Sequence, residues 1–439
     1  MKSVLLSASA LGLLAGVVLI EAAHAEAAGN APTLKISGEI NTAVYAFNQK
    51  DQPKDANGGK GQGFHSDVQD SRLNFEAVGD AHFYGGMEYS ALVGFTANPE
   101  EGQAAVEEVN IRLRGPWGFF MTGNSRDVGD RMANGAFSVM GASGGFNGNY
   151  DRVINASTGV LPSVSLVGAP KDANKLTYVT PRVYDVQFGI SFTPNTQTQG
   201  FSKLKSVGSR KNDDTTYDKN NVSLGLNYRT KFSNGLGLKA SATAVFGQSQ
   251  IARRLGALPL TATERAAETY FSGDRKNTSS YALGLELDYG AFELGFEFID
   301  NGTSQVLKAI QGRKAGQVYS VAAGYKFGVN HIALGYLHAT RKLGTGILTN
   351  FNGVRTLDVV SADNPRAKAD VVSLTYDRNL AKGLVLFAEA NYFDYKTDQR
   401  WVNLQNSMKS SGVGNASNML DGVGNNRGHV LMLGTKVRF

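Results

Sequence analysis

The chain has 439 residues, and 52 of them are glycine, about 12 % against a usual share of roughly 7 %. Hydrophobic residues make up 42 % and the mean hydropathy is −0.22, which argues against both a bundle of membrane-spanning helices and a disordered chain. Cysteine is absent, which excludes disulfides, thiolate metal sites and cysteine nucleophiles. The net charge of +6 is too small for a nucleic-acid-binding protein of this size.

Residues 1–25 have the features of a secretory leader. Lys2 precedes an apolar stretch over 4–20, and the segment 23–25 fits a small-x-small cleavage motif. The apolar stretch is short and contains serines, so a transmembrane anchor is the weaker interpretation. We therefore expect export, cleavage after residue 25, and a single mature domain over 26–439.

Apolar and polar residues alternate along several segments with a period of two. Clear cases are 34–46, 72–77, 222–229 and 292–298. This period is that of β-strands with one apolar and one polar face. Alternation by itself does not separate a soluble sandwich from a barrel in a membrane.

The connections between the strands distinguish these two folds. Short clusters of turn residues lie at 79–85, 115–118, 181–182, 233–235, 288–290, 328–330 and 379–383. Longer, mostly polar segments alternate with them at 48–69, 98–105, 124–173, 194–220, 249–279, 301–316, 342–369 and 396–427. Short turns on one rim and long loops on the other are typical of outer-membrane barrels. We predict an all-β, antiparallel transmembrane barrel of about 16 strands, with short periplasmic turns and long extracellular loops.

A barrel of this size encloses an aqueous channel, so apolar residues should face lipid and polar residues the lumen. Aromatic residues near strand ends fit the girdles at the two membrane interfaces. They are Trp117, Phe119, Phe232, Tyr289, Phe327, Tyr392 and Phe439.

Five segments, in order along the mature chain, resemble the general, non-specific porins of Gram-negative bacteria, in particular the alphaproteobacterial branch. Residues 34–47 resemble the first strand and 70–75 the second-strand motif. The pair 109–115 and 119–123 resembles the hairpin before loop 3, 175–181 the strand that leaves loop 3, and 429–439 the terminal strand.

The resemblance implies a homotrimer of barrels in the outer membrane, surrounded by the lipid bilayer and lipopolysaccharide. Each barrel would pass ions and small hydrophilic solutes by passive diffusion, and the barrel-assembly machinery would read the final Phe439. It also implies that loop 3, here 124–173, folds into the lumen as an eyelet in which acids face bases. The uncharged run up to Tyr150 would pack against the barrel wall.

Five charged residues are candidates for the pore constriction. Arg72 matches the second-strand arginine of the family, and its parity agrees with a lumen-facing side chain. Arg112 and Arg114 share the polar face of the fourth strand, with Arg114 near the short turn. Asp127 and Asp130 lie at the start of loop 3. The alternative for each is a solvated lumen charge with no role in the constriction.

The excess of bases favours a weak preference for anions, although many lysines lie in loops where salt screens them. The segment 98–105 is shorter than the loop 2 that latches onto a neighbour in many trimeric relatives, whereas 249–279 and 342–369 exceed the usual loops. The sequence does not fix the solute, the size cut-off, the gating, the oligomeric state or the roles of these loops.

Three other functions stay open. A solute-specific porin needs a ladder of aromatic residues or a staircase of basic residues through the lumen, and we predict no strand with several lumen-facing aromatics. An adhesin or structural barrel would have a plugged lumen. A barrel hydrolase needs an exposed serine beside a histidine. The segment 141–145 fits G-x-S-x-G, but it lies in a glycine-rich loop instead of a strand-turn-helix elbow. We expect no enzyme activity.

No cofactor is expected. His331 and His338 are seven residues apart on one strand and therefore face opposite sides, so they do not chelate one ion. The carboxylates at 55–58 and 213–214 could bind calcium in loops, but solvated acids are the simpler interpretation.

Overall fold

The computed structural model describes residues 31–50, 63–81, 86–96, 105–141, 143–154, 165–170, 173–197, 216–251, 275–306, 308, 311–344, 348–349, 356–357, 366–397 and 425–439. The predicted leader, the loop carboxylates at 55–58 and 213–214, and most of the segments 249–279 and 342–369 lie outside these residues.

The described residues form eighteen strands. They are β1 (Thr33–Gln49), β2 (Phe64–Ala81), β3 (Met87–Thr96), β4 (Ala105–Gly115), β5 (Gly118–Ser125), β6 (Ala173–Val179), β7 (Val186–Asn195), β8 (Thr216–Lys231), β9 (Gly237–Ile251), β10 (Thr278–Tyr289), β11 (Phe292–Asp300), β12 (Gln317–Phe327), β13 (Asn330–Lys342), β14 (Leu348–Thr349), β15 (Thr356–Leu357), β16 (Arg366–Ala381), β17 (Leu384–Thr397) and β18 (Asn426–Arg438).

All of these strands except β14 and β15 close into one antiparallel barrel, in which each strand pairs with its neighbours along the chain and β18 returns to β1. The short strands β14 and β15 pair only with each other, within the connection from β13 to β16. Short turns alternate with long connections around the barrel, so the predicted fold is confirmed.

The described helices are short. Helix α1 spans Val128–Met132, and three 3-10 turns follow at Ala136–Val139, Gly145–Asn147 and Asn149–Val153. Among the described residues, no helix has both the length and the apolar character needed to cross a membrane.

The alternation of the strands places apolar side chains on the outside of the barrel, as predicted. Outward aromatics gather at the long-loop ends of the strands (Tyr281, Tyr319, Tyr336 and Tyr392) and at the turn ends (Tyr289, Phe292, Tyr325 and Phe327). Phe119 does not belong to these girdles. It points inward and packs against the buried cluster of Val128, Met132 and Val179. The parity of β5 explains this, since its odd-numbered residues face the lumen.

The barrel closes where β1 meets β18. Phe439 exchanges two backbone hydrogen bonds with Gly38, of 2.9 and 3.1 Å, and its ring lies over that glycine. A Cβ on Gly38 would lie 2.6 Å from the Phe439 ring, so the glycine is needed for this close approach.

Loop 3 connects β5 to β6, and its described residues 126–141 and 143–154 lie inside the barrel along a track of inward-facing glycines. A Cβ on any of them would contact loop 3, and they are Gly189, Gly225, Gly284, Gly295, Gly324 and Gly335. At Gly284 the Cβ would meet the Asn134 carbonyl, and at Gly295 it would lie 2.7 Å from the Ala136 Cα. We call these six residues the glycine track. They account for part of the glycine excess of the sequence.

Hydrogen bonds from several strands hold loop 3 against this wall. Ser191 on β7 accepts from the Val128 N–H at 3.0 Å, and Ser241 on β9 accepts from the Asn134 N–H at 2.9 Å. Further along, Thr375 on β16 accepts from Gly141 and Glu389 on β17 accepts from Gly145, both at 3.1 Å. Gln49 on β1 donates to the Val153 carbonyl at 2.8 Å. Loop 3 therefore follows the inner wall from β7 round to β1.

Two sequence expectations need correction where loop 3 covers the wall. Inward positions there are apolar, as with Leu337 and Val371. Strand β17 also carries three inward aromatics, Phe387, Phe393 and Tyr395, whereas no strand was expected to carry several. The reason is that these side chains form a core with the apolar residues of loop 3, including Met140 and Phe146, and so do not face water.

Candidate functional site

Strands β2, β3 and β4 form the part of the inner wall that faces the beginning of loop 3 and carries a group of charged side chains. We call this part the open wall. Its arginines, Arg72 and Arg112, are 35 % and 26 % exposed. Since both point into the barrel, water in the lumen accounts for this exposure.

A β-bulge in β2 positions Arg72. Glu39 on β1 pairs with Arg72, but Asn41 pairs with Gln69, so β2 has one extra residue between them. The extra residue reverses the parity of the strand, as bulges do. Gln69, which donates to the Tyr45 hydroxyl at 2.8 Å, and Arg72 therefore both face the lumen although they are three residues apart.

A second bulge, in β4, adds a carboxylate to the wall. Gly94 on β3 pairs with Glu108 and Phe95 pairs with Val106, which leaves Glu107 as the extra residue. Glu107 accepts hydrogen bonds from Arg72 at 2.9 Å and from Thr96 at 2.7 Å. Two consecutive glutamates consequently line the same side of the channel.

Glu108 connects the open wall to loop 3. Its carboxylate lies 3.8 Å from the Arg112 guanidinium on its own strand and 3.8 Å from the Arg131 guanidinium on helix α1. The backbone N–H of Arg126 donates to it at 3.4 Å. Arg112 also lies 3.5 Å from Glu76 on β2. Ionic contacts thus cross from the wall to the start of loop 3.

Asp130 faces the lumen on helix α1. Its carboxylate lies 3.6 Å from the Arg126 guanidinium, and both side chains are 40 % exposed. Among the predicted constriction residues, the structure therefore brings Arg72, Arg112 and Asp130 to one region of the channel.

Asp127 does not line the channel, because its side chain is fully buried at the start of loop 3. Its carboxylate caps helix α1 by accepting the backbone N–H of Asp130 at 3.2 Å. Burial raises the pKa of Asp127, and the nearby Ser223 hydroxyl and the Asp130 N–H oppose the rise only in part. Its role in this structure is to fix the start of loop 3.

Arg114 also lies apart from the ionic network. It is exposed at the short-turn end of β4, with its guanidinium carbon 6.0 Å from the centre of the Phe119 ring. This is a cation–π distance. Its side chain therefore borders the periplasmic mouth.

The charges of the network balance. It contains four arginines (Arg72, Arg112, Arg126 and Arg131) and four carboxylates (Glu76, Glu107, Glu108 and Asp130). Acids and bases are interleaved on the open wall and again on loop 3. The electric field across the channel is therefore weaker than it would be if acids lined one wall and bases lined the opposite wall.

Sequence reasoning missed Glu76, Glu107 and Glu108 as members of the site. Glu76 lies four residues after Arg72 and therefore on the same face of β2, so the alternation of the strand alone could have identified it. The consecutive glutamates 107 and 108 break the alternation of the fourth strand, and such a break is the sequence signal of a bulge.

The residues considered for other chemistry lie apart. His331 faces inward, 3.1 Å from Glu293, and His338 faces outward, 2.7 Å from Asp370. No group of three potential metal-ligating side chains occurs among the described residues. Ser143 follows no strand, because the residues around it form irregular loop between 3-10 turns.

Replacing Asp127 with alanine should destabilise the folded barrel by about 1 kcal/mol, the usual loss for a helix cap. Asp127→Asn keeps a capping oxygen and should retain most of that stability. Because the pKa is raised, the protonated carboxyl is favoured in the folded state, and wild-type stability should fall as the pH rises through that pKa. Denaturant midpoints over a range of pH measure both effects.

The asparagine variant should show no such pH dependence at this position. Neither variant should change the ion selectivity of the channel, since Asp127 does not touch the lumen. A shift in reversal potential for Asp127→Asn, with its stability unchanged, would contradict this placement.

The fold is that of solved outer-membrane channels. The anion-selective porin of Comamonas acidovorans aligns with 93 % of this chain and 100 % of its own, with 15 % identity and a TM-score of 0.54. The outer-membrane channel DcaP of Acinetobacter baumannii covers 93 % and 98 %, with 11 % identity and a TM-score of 0.54. The trimer form of OmpT from Vibrio cholerae covers 93 % and 100 %, with 12 % identity and a TM-score of 0.51.

Sequence relatives are more limited in extent. An uncharacterized protein of Rickettsia typhi is 26 % identical over 251 residues, and one of Rickettsia prowazekii is 28 % identical over 250. The chain matches about half the length of these relatives, 51 % in each case. The profile of the Gram-negative porin family matches residues 7–398. With this match and a closed sixteen-stranded barrel, the chain belongs to the Gram-negative porins of the bacterial outer membrane.

Proposed function

We propose that the protein forms a water-filled channel for passive diffusion of ions and small hydrophilic solutes, and that it is not an enzyme. The observation that carries this proposal is the open wall. Arg72, Arg112, Arg126 and Asp130 point into the barrel and keep a quarter or more of their side-chain surface exposed there. Water therefore reaches the level of loop 3 beside the covered wall.

The proposed constriction lies between the open wall and helix α1. Arg72, Arg112 and Asp130 belong to it, and Arg114 contributes at the periplasmic mouth. Rings of charged side chains set selectivity in pores. The balanced network supports weak selectivity, with the net charge of +6 favouring anions slightly.

The partners of this function are proposed on the same basis. A homotrimer is supported by the trimer form of the similar Vibrio cholerae protein. Phe439, at the closing seam, is proposed as the signal that the barrel-assembly machinery reads. The uncharged outer belt would contact the lipid bilayer and lipopolysaccharide.

Conductance of the refolded protein in a planar bilayer tests the proposal. Stepwise ohmic currents, in groups of three for a trimer, are expected in symmetrical KCl. Under a KCl gradient the reversal potential should lie near zero, with the sign of a slight anion preference. A correctly folded barrel that inserts without conducting would refute the channel and favour a structural role.

A further inference from the structure

The short turn between β6 and β7 brings an arginine over the inner wall at the periplasmic mouth. The Arg182 guanidinium donates to the side-chain oxygens of Asn227 at 2.6 Å and of Gln187 at 3.1 Å. It also donates to the backbone carbonyl of Asp185 at 2.7 Å. Gln187 and Asn227 are paired across β7 and β8, each two residues from an inward glycine of the glycine track. Both side chains therefore face the lumen, and so does the guanidinium that they hold.

The backbone of this turn is strained in a way that fixes the arginine. Tyr184 and Asp185 have φ angles of 47° and 66°, in the left-handed region that residues other than glycine rarely adopt. The two residues that flank them exchange two backbone hydrogen bonds, so this is a tight hairpin turn, in which asparagine and glycine are the usual residues. The Asp185 carbonyl consequently accepts from both the Arg182 guanidinium and the Arg229 N–H. Strained backbone of this kind concentrates at functional sites.

A second arginine lies beside the first on the inner wall. Arg229 follows Asn227 by two residues on β8 and therefore points to the same side. The pKa of Arg182 lies below its usual value, first because of desolvation and then because of the positive charge of Arg229, and Asp185 opposes this shift. The two guanidiniums are therefore close enough to repel each other. We call Arg182 and Arg229 the arginine pair.

The positive charge of the arginine pair is not offset by a neighbouring acid. Across the sheet from Arg229 is Lys239, another cation, and the nearby Glu286 forms its ion pair with Lys239. Within the part of the chain that the structure describes, no carboxylate lies within ion-pair distance of Arg182 or Arg229. Like charges on facing residues destabilise a sheet. An anion bound to the arginine pair would offset this repulsion.

The arginine pair lies on the periplasmic side of the constriction. Gly225, which contacts helix α1, is two residues from Asn227, about 7 Å along β8. Helix α1 carries Asp130 of the ionic network. A solute that leaves the constriction on this side of the channel therefore reaches the mouth beside the arginine pair.

We propose that the arginine pair binds a small oxyanion, the carboxylate or phosphate group of a solute, at the periplasmic mouth. A guanidinium matches two oxygens of such a group with parallel hydrogen bonds, which a chloride ion does not accept in this way. Arg182 is held in place by its three oxygen partners, and the Arg229 guanidinium makes no hydrogen bond to another described residue. The inference rests on the proposed channel function, for which it names a class of solute.

The test measures binding of inorganic pyrophosphate to the refolded protein in neutral detergent, by phosphorus NMR titration at low salt. Arg182→Gln/Arg229→Gln removes both charges of the arginine pair. Arg378→Gln/Lys382→Gln removes two exposed cations from another short turn and is the matched control. Arg229→Gln alone keeps the hydrogen bonds of the Arg182 guanidinium, so it tests the charge even if the double variant folds poorly.

The double variant should bind pyrophosphate about tenfold more weakly than wild type, which corresponds to about 1.4 kcal/mol. Arg229→Gln should weaken binding by a smaller factor, and the control should bind as wild type does. Malonate, a dicarboxylate, and methyl phosphate should each displace pyrophosphate at lower concentrations than chloride does. Displacement by methyl phosphate and not by malonate would support a site for phosphates alone.

Equal affinities of the double variant and the control would overturn the proposal, because net charge alone would then explain the binding. Displacement by chloride as effective as that by malonate and methyl phosphate would also overturn it. Binding is measured without current, so a barrel that binds pyrophosphate through the arginine pair but does not conduct would refute the channel alone. A conducting barrel with equal affinities would refute the oxyanion site alone.

Discussion

Replacing Glu107 and Glu108 together with glutamine is expected to convert a weakly selective channel into an anion-selective one. These carboxylates offset Arg72, Arg112 and Arg131, which they contact at 2.9 to 3.8 Å. Without them Arg72 and Arg131 lose their carboxylate partners, and the network keeps four arginines against the two carboxylates of Glu76 and Asp130. In a tenfold KCl gradient, the reversal potential should move by a large part of the about 59 mV that corresponds to perfect monovalent selectivity.

The control is Glu88→Gln, which removes one lumen-facing carboxylate opposite Arg114 at the wider turn end of β3, away from the network of Glu107 and Glu108. It should shift the potential little. Arg72→Gln/Arg112→Gln should shift the potential in the cation-selective direction. If the glutamate variant and the control gave the same potential, the constriction would lie elsewhere in the barrel.

Placing a methyl group on the glycine track should destabilise loop 3 while leaving the strand intact. In Gly295→Ala the new Cβ would lie 2.7 Å from the Ala136 Cα and 2.9 Å from the Gly135 carbonyl, both backbone atoms of loop 3. Overpacking of this kind typically costs about 1–3 kcal/mol. We expect a lower denaturant midpoint and a changed single-channel conductance, because loop 3 must move toward the open wall.

The control for this change is Gly94→Ala, on the open wall, where the Cβ would meet the amide of Asn74, a side chain that can turn away. This variant should keep the wild-type midpoint. A Gly295→Ala barrel with unchanged stability and conductance would mean that loop 3 is not fixed by this wall.

Much of the fold could be predicted because a barrel in a membrane obeys a simple rule of period two and alternating connections. Strands such as β8 and β11, with lipid on one side and a polar or glycine-lined lumen on the other, show it directly in the sequence. Loop 3 could be recognised as an inward segment because Phe146 and Met140 would be out of place on a surface loop. Both are buried in the barrel.

The site could be predicted only in part, because two of its features depend on contacts with other parts of the chain. The bulge at Glu107 changes which side chains face the channel, and a bulge depends on pairing with another strand. The buried position of Asp127 depends on how loop 3 lies against β7 and β8, a contact between residues far apart in the sequence. For the same reason the inward aromatics of β17 could not be anticipated: the element that covers them lies more than 200 residues away.

Around the 3-10 turn Asn149–Val153, loop 3 bridges the strands on either side of the closing seam. Arg152 forms an ion pair of 2.6 Å with Asp67 on β2, and the Tyr150 hydroxyl lies 3.4 Å from that of Tyr395 on β17. Between them, the Val153 carbonyl is bound by Gln49 on β1. The loop thus acts as an internal strut. To separate β1 from β18, these contacts must be broken as well as the backbone hydrogen bonds between the two strands. Loop 3 therefore stabilises the closing seam against lateral opening.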